Sequence, residues 1–202
     1  MAYYHDIITQ KSWEELTKLG KTFKFVLIGG WATYIYTKAL KSKDIDILIE
    51  YEELGKLRKI YDVVKNVRLK KYEARREEIQ IDIYLPHYSS IGIPVEDLMQ
   101  QTASIEGFAL LKKEWLLALK IFVLSQRTRS AKGEKDFLDI LSLFQTDIDT
   151  AKLLKIIKKY KLENGFKAFV EILDERNEVL ELDLNRHKYK KLKNKIGPTR
   201  NG

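Results

Sequence analysis

The amino-acid sequence predicts an α+β protein in which a strand-and-helix half is followed by an all-helical half. In the first half, short apolar runs alternate with segments of helical periodicity, the pattern of a sheet with packed helices. From Lys113 onward, apolar residues recur only at helical spacing. We therefore expect two domains, residues 1–112 and 113–202, with no flexible linker between them.

Turn residues and changes of period set the limits of the predicted elements. Strands are predicted at 23–28, 44–50, 67–72 and 79–85, with a last extended segment at 104–111. Helices are predicted at 6–20, 31–40, 52–65, 94–101, 115–124, 135–144, 150–161 and 165–182, with Asp149 capping the helix that begins at Thr150.

Composition narrows the class of protein. Of the 202 residues, 45% are hydrophobic and 33% are charged, which is typical of a globular chain. No apolar run reaches the roughly 18 residues that span a bilayer. There are no cysteines, so disulfides and thiolate metal sites are excluded, and without a secretion signal we expect a cytoplasmic protein. The net charge of +8 favours anionic partners such as nucleotides or nucleic acid.

Two predicted strands carry carboxylates inside alternating apolar patterns. Over 44–50, isoleucines alternate with Asp44 and Asp46, so the two aspartates share one face of the strand. Around Asp82, the pattern over 79–85 is the same. Because an unpaired buried charge is costly, three such carboxylates indicate a site for Mg²⁺ or Mn²⁺. Paired metal ions stabilise the attacking and leaving oxygens of a phosphoryl displacement, and Asp82 can instead accept a proton from the attacking hydroxyl.

A glycine pair precedes these aspartates. Gly29 and Gly30 follow the first strand, where a tight turn without side chains lets the backbone approach phosphates. The helix after them offers N–H groups to an anion, and the hydroxyl of Ser42 can reach a phosphate oxygen. A turn glycine or an Asp-x-Asp on an exposed edge strand is common alone, but their conjunction with a later strand aspartate favours a functional site.

Together, Gly29-Gly30, Asp44-x-Asp46 and Asp82 resemble the pattern of the polymerase-β-type nucleotidyltransferase superfamily. The resemblance implies a small mixed sheet flanked by helices, with an appended helical domain. It also implies an Mg²⁺-dependent enzyme that transfers a nucleoside monophosphate from an NTP and releases pyrophosphate.

The second half resembles the helical region of AbiEii-type toxin nucleotidyltransferases. The resemblance is carried by residues 115–121, Arg127 and residues 134–140, and by Ser42-x-Asp44-x-Asp46 in the first half. The loop 125–135, which includes Arg129 and Lys132, is longer than the family's. This resemblance implies a toxin–antitoxin role, with a cognate antitoxin as partner.

The same resemblance assigns Lys120 to the nucleotide phosphates and Asp136 to an acid near it, with Asp139 as the other candidate. From the residues alone, Lys120 either extends its ammonium to the surface or provides a point charge for a triphosphate. Asp136 and Asp139 lie three apart on one helix face and either orient Lys120 or cap the helix start, the cap being favoured.

Three functions remain open at this stage. The leading one is transfer of a nucleotide to an RNA, such as a tRNA end, or to a protein hydroxyl, and the positive charge favours RNA. The second is a non-catalytic NTP-binding regulatory or antitoxin-type module. The third is modification of a small molecule such as an antibiotic, which needs an acidic pocket for a cationic acceptor. The basic run Arg186–Lys195 either follows a phosphate backbone or is a solvated helix end.

Overall fold

A computed structural model describes residues 2–127 and 130–197, without the side chains of residues 2–5. Arg129 of the predicted loop and the end of the tail, residues 198–202, lie outside the described residues. The chain divides into two compact units, Met1–Lys112 and Lys113–Gly202. In the described part of the chain, no helix has both the length and the apolar character required to cross a bilayer.

The first unit is built on a mixed seven-stranded sheet, which confirms the α+β fold. The strands are β1 (Val26–Ile28), β2 (Ile45–Leu48), β3 (Asp62–Asn66), β4 (Lys71–Arg76), β5 (Ile79–Tyr84), β6 (Thr102–Ile105) and β7 (Phe108–Leu111). Their order in the sheet is β3-β4-β5-β2-β1-β7-β6, and the central β2 runs antiparallel to β1 and parallel to β5.

Helices accompany the sheet in the first unit and make up the second. Those of the first unit are α1 (Ala2–Thr22), α2 (Gly29–Thr37), α3 (Tyr51–Leu57) and α4 (Val95–Met99). Those of the second are α5 (Lys113–Arg127), α6 (Ala131–Phe144), α7 (Thr150–Lys159), α8 (Glu163–Glu175) and α9 (Arg186–Ile196), with a 3₁₀ turn at Leu180–Leu182.

The alternation predicted for β2 and β5 holds. Ile45 pairs with Ile81 and Ile47 with Ile83, and all four side chains are fully buried. Burying each such side chain contributes roughly 1.5–3 kcal/mol. The isoleucine face therefore anchors the sheet in the core, and the aspartates lie on its other face.

The segment after β2 differs from its prediction. Helix α3 ends at Leu57 instead of continuing to residue 65, and Asp62–Asn66 is the edge strand β3. The β-branched Val63 and Val64 pair there with Ala74 and Glu73 of β4, which overrides the helical periodicity. Residues 67–70, predicted as strand, form the β3–β4 turn.

The glycine turn was also predicted incorrectly. Helix α2 begins at Gly29 itself, with no intervening turn residues. Gly29 has a φ of +66°, a backbone angle that residues with a Cβ rarely adopt. The conformational freedom of Gly29 thus lets β1 pass directly into α2.

In the second unit, α5 packs against α6, α7 and α8. The Asp149 cap of α7 is confirmed, since its side chain accepts a hydrogen bond from the backbone N–H of Lys152. Helix α6 is capped by Ser130, which accepts from the N–H of Gly133. The prediction that Asp136 or Asp139 caps this helix was therefore wrong, because the helix begins earlier, at Ala131.

The basic run lies in α9, and two of its lysines have internal partners. Lys195 Nζ donates to the carbonyls of Phe144, at 3.0 Å, and Thr146, at the end of α6. Lys193 Nζ donates to the carbonyl of Arg176 at 2.8 Å, just after α8. A cation near a helix C-terminus interacts favourably with the helix dipole, so these two lysines serve the fold.

Candidate active site

The strand register brings Asp46 and Asp82 together. They are directly opposite on the parallel strands β2 and β5, and Glu73 of β4 is directly opposite Asp82 on the next strand. Side chains at opposed positions point to the same face of a sheet, with Cβ atoms about 4.5–5.5 Å apart. Three carboxylates therefore form one row across three strands. The sequence singled out two of them and missed Glu73.

Gly29 lies directly beneath the carboxylate of Asp46. A Cβ added to Gly29 would lie 2.1 Å from Asp46 Oδ2, a distance that real Cβ atoms essentially never show. The register explains the contact, because Ile28 is directly opposite Asp46 on β1. Gly29 is thus required both for its left-handed backbone and for the position of Asp46. Its neighbour Gly30 is buried in the first turn of α2.

The remaining two predicted residues precede β2. Asp44 is half-buried in the bend just before the strand, and Ser42 is buried two residues earlier. The N-cap of α2 is Ile28, whose apolar side chain cannot accept a hydrogen bond from the backbone N–H groups of the first turn. The start of α2 therefore remains a candidate site for an anion.

Lys71 is the main residue that the sequence interpretation missed. From β4 its Nζ lies 2.5 Å from Asp82 Oδ2 and 3.1 Å from Glu73 Oε1. Gln80 Nε2 donates to the other oxygen of Asp82 at 2.7 Å. Both oxygens of Asp82 thus have donors. The sequence did contain a signal for these residues. The polar Lys71 and Glu73 alternate with the buried Tyr72, which is the pattern of a strand with both polar side chains on one face.

The pKa values around Lys71 follow from this pairing. Burial alone would lower the pKa of Lys71, but hydrogen bonds and charge from Asp82, and then from Glu73, outweigh it and raise the pKa. For Glu73, burial acts to raise the pKa, while hydrogen bonds from Lys71 and Asn66 prevail and lower it. The ammonium of Lys71 and the carboxylate of Glu73 are therefore charged at neutral pH.

The chemistry of this donor set fits a divalent cation. Aligned carboxylates such as Asp46 and Asp82 supply the oxygen ligands that Mg²⁺ and Mn²⁺ prefer. Within residues 2–127 and 130–197, however, no group of three or more acidic or histidine side chains converges well enough to hold a metal. Lys71 and Gln80 hold both oxygens of Asp82 instead. Asp46 and Asp82 are thus suitable ligands, and Lys71 already provides a cation beside one of them.

In the second unit, Lys120 joins the two acids named with it. Its Nζ donates to Asp136 Oδ1 at 2.9 Å and to Asp139 Oδ2 at 2.7 Å, and all three side chains are buried. Arg127 adds a cation, with Nε 3.3 Å from Asp136 Oδ2. Lys120 therefore does not extend to the surface, and both aspartates orient it.

The two aspartates keep Lys120 charged. Burial alone would lower the pKa of Lys120, but the charges of Asp139 and Asp136 outweigh burial and raise the pKa above its usual value. Among the described residues, no donor forms a hydrogen bond to the buried Asp139 Oδ1 or Asp136 Oδ2, although Arg127 lies within ion-pair distance of the latter. The cluster thus retains unused acceptor capacity, which a buried carboxylate rarely does.

Comparisons with known proteins bear on the fold. No protein-family model matches the chain, and no curated protein matches it either. Among solved structures, JHP933 from Helicobacter pylori is similar with a TM-score of 0.51, 14% identity, and coverage of 96% of this chain and 92% of that one. The antibiotic-resistance factor ANT(2″)-Ia in solution has a TM-score of 0.51 and 14% identity, over 87% of this chain and 97% of that one.

A third similar structure is an antigenic nucleotidyltransferase-like protein from Paracoccidioides brasiliensis. It has 19% identity and a TM-score of 0.44, over 81% of this chain and 93% of that one. Identities below 25% show a shared fold and no more. The fold that the chain shares with JHP933, with ANT(2″)-Ia and with a putative nucleotidyltransferase from Helicobacter pylori (TM-score 0.50, 14% identity, 96% of this chain and 93% of that one) is the nucleotidyltransferase fold.

Proposed function

We propose that the protein is a metal-dependent nucleotidyltransferase that uses an NTP as substrate. The observation that carries the proposal is the opposition of Asp46 and Asp82 on adjacent strands, with Asp46 packed on Gly29. Gly29 adopts its left-handed backbone without strain and leaves room for the Asp46 carboxylate, which a side chain at this position would displace.

In this proposal Asp46 and Asp82 would hold Mg²⁺ or Mn²⁺, with Asp44, just before β2, as a further candidate ligand. When bound, the cation neutralises charge on the triphosphate oxygens. Gly29, Gly30 and Ser42 let the triphosphate approach the start of α2, whose backbone N–H groups bind anionic oxygen. The sequence resemblance alone assigns Lys120 and Asp136 to the nucleotide, and within the second unit the ammonium of Lys120 is held by Asp136 and Asp139.

The reaction balances with these groups. An acceptor hydroxyl attacks the α-phosphorus of the NTP, a new P–O bond forms, and the bond to the β-phosphate oxygen breaks. Pyrophosphate leaves, and Asp82 accepts the hydroxyl proton. Gln80, which donates to Asp82 Oδ1, orients this carboxylate for both roles.

The test is incubation with each α-labelled NTP, Mn²⁺ or Mg²⁺, and total RNA or cell extract. Asp46→Asn should reduce labelling at least about 100-fold, because the charge that positions the cation is lost. Asp62→Asn is the matched control, since Asp62 is an exposed strand aspartate on β3. Unchanged labelling by Asp46→Asn would contradict the proposal.

The acceptor in this proposal is an RNA hydroxyl, such as a tRNA end. The net charge of +8 supports it, as do the exposed lysines of α9 that have no capping role, Lys188, Lys190 and Lys191. Label appearing in protein or in a small cationic molecule would replace RNA as acceptor. NTP binding without any product would indicate a regulatory module.

A toxin role extends the same proposal and rests on the resemblance of the sequence motifs. Expression of the protein should then arrest growth of a bacterial host, and Asp46→Asn should relieve the arrest. A partner that restores growth when co-expressed would be the cognate antitoxin. Equal growth with the two forms would remove the toxin role and leave the enzymatic proposal in place.

A further inference from the structure

Lys71 occupies an unusual position beside the proposed cation site. Its ammonium contacts Asp82 at 2.5 Å and Glu73 at 3.1 Å, and its side chain is only 9% exposed. An ammonium held between two carboxylates neutralises the charge that a divalent cation would neutralise. The contact thus competes with cation binding for Asp82.

The strand order separates the two competitors spatially. Asp82 is on β5, with β2 and Asp46 on one side of it and β4 with Lys71 and Glu73 on the other. A cation shared by Asp46 and Asp82 therefore approaches from the β2 side, while Lys71 reaches Asp82 from the β4 side. Asp82 is one strand away from Asp46, and Glu73 is two strands away.

Glu73 is prepared to accept the ammonium alone. Its Oε1 already contacts Lys71, and Asn66 Nδ2 donates to the same oxygen at 3.0 Å, which fixes the carboxylate in place. A lysine has a flexible four-carbon stem, so its ammonium can move between neighbouring carboxylates without a backbone change. Lys71 can therefore leave Asp82 and still keep a charged partner.

We propose that Lys71 competes with the divalent cation for Asp82 and that Glu73 holds the displaced ammonium when the cation binds. This inference rests on the proposed cation site. Lys71 keeps Asp82 positioned without a cation, and Glu73 lowers the cost of releasing Lys71. Lys71 and Glu73 are thus positioning residues that set how tightly the site binds metal.

The test is Mn²⁺ binding to the full-length protein without nucleotide, with free Mn²⁺ measured by electron paramagnetic resonance. Lys71→Met removes the competitor and should tighten Mn²⁺ binding about tenfold or more, because an adjacent unit positive charge is lost. Lys71→Gln, neutral but polar, should change the affinity in the same direction if Lys71→Met folds poorly. Circular dichroism verifies that each variant is folded.

Glu73→Gln should have the opposite effect. Without the second carboxylate, the ammonium of Lys71 stays on Asp82, and Mn²⁺ binding should weaken by about threefold to tenfold. In the Lys71→Met background, Glu73→Gln should have a smaller effect, because there is no ammonium to hold. A merely structural ion pair would instead weaken Mn²⁺ binding in both single variants.

Two further variants separate the possible failures. Lys70→Met removes the same charge from the exposed neighbouring turn and should leave Mn²⁺ affinity within about twofold of the wild type. If Asp46→Asn loses Mn²⁺ binding but Lys71→Met does not tighten it, the competition is wrong and the cation site stands. If Asp46→Asn binds Mn²⁺ as the wild type does, the cation site and the competition are both overturned.

Discussion

At the scale of single residues, the position of Gly29 does not accommodate a side chain. Gly29→Ala places a Cβ at a φ of +66° and 2.1 Å from Asp46 Oδ2. The left-handed backbone alone costs an alanine about 1–2 kcal/mol, and the contact adds to this. We expect Gly29→Ala to lower the free energy of unfolding, measured in urea, by at least that amount and to abolish the proposed nucleotide transfer.

Gly55→Ala is the control for this substitution. A Cβ at Gly55, exposed in α3, would meet no atom within 4 Å, so the alanine should stabilise the helix by up to about 1 kcal/mol. Nucleotide transfer should be unchanged in this variant. Equal stability of Gly29→Ala and the wild type would contradict the contact with Asp46.

Lys120 is the second residue whose replacement has a calculable consequence. Lys120→Met leaves two buried carboxylates facing each other, which should lower the free energy of unfolding by about 3–5 kcal/mol. Urea unfolding followed by the fluorescence of Trp115, in the same helix, measures the change. Lys167→Met, which removes an exposed lysine from α8, should cost less than about 0.5 kcal/mol. Similar losses in the two variants would contradict the buried cluster.

At the scale of secondary-structure elements, α9 stabilises the ends of α6 and α8 through its lysines. Lys195→Met removes the donor to the carbonyls of Phe144 and Thr146 and should cost roughly 0.3–1 kcal/mol. Lys191→Met, an exposed substitution in the same helix, should not change thermal stability. If both variants melt alike, the capping role is wrong.

A salt bridge between Arg176, just after α8, and Glu134 of α6 forms a clamp that should make the stability of the second unit depend on pH. Arg176 donates from both terminal nitrogens to Glu134, with Nη1 2.7 Å from Oε1 and Nη2 2.5 Å from Oε2. The hydrogen bonds from Arg176 outweigh burial and lower the pKa of Glu134. A carboxylate with a lowered folded-state pKa contributes stability above its unfolded value of about 4.3, and that stability is lost as the pH falls through the folded value.

Thermal unfolding between pH 6 and pH 3 measures this contribution. The melting temperature of the wild type should fall as Glu134 is protonated. Glu134→Gln has no such proton to gain, so its melting temperature should fall less over the same range. Parallel decreases in the two proteins would show that the clamp does not contribute.

At the scale of the whole molecule, the proposed binding of RNA should depend on salt, because the chain carries a net charge of +8. The logarithm of the binding constant should fall with the logarithm of salt concentration, with a slope of roughly −0.7 for each phosphate contacted on a single strand. Lys190→Met and Lys191→Met together should make this slope less steep. Lys195→Met should lower the stability of the protein and change the slope less. Fluorescence anisotropy with a labelled RNA at several salt concentrations gives the binding constants and the slope.

The accuracy of the sequence predictions followed local physics. Strands β2 and β5 were predicted because isoleucine alternation and burial agree there. Residues 62–65 were placed in a helix because their apolar spacing fits one, and only pairing with β4 decides otherwise. Periodicity does not show which strands pair or in which register, even across the short β4–β5 turn, so Glu73 and Lys71, which join the site only through this pairing, were missed.

The alignment of Asp46, Asp82 and Glu73 makes the site intolerant to changes in strand length. One residue inserted within β5 before Asp82 would turn its carboxylate toward the core and move an isoleucine to the open face. The β4–β5 turn at Glu77 and Glu78, exposed and outside the ladder, can lengthen without this inversion. A library of insertions should therefore retain function at the turn and lose it within the strands, a pattern unlike that of substitutions.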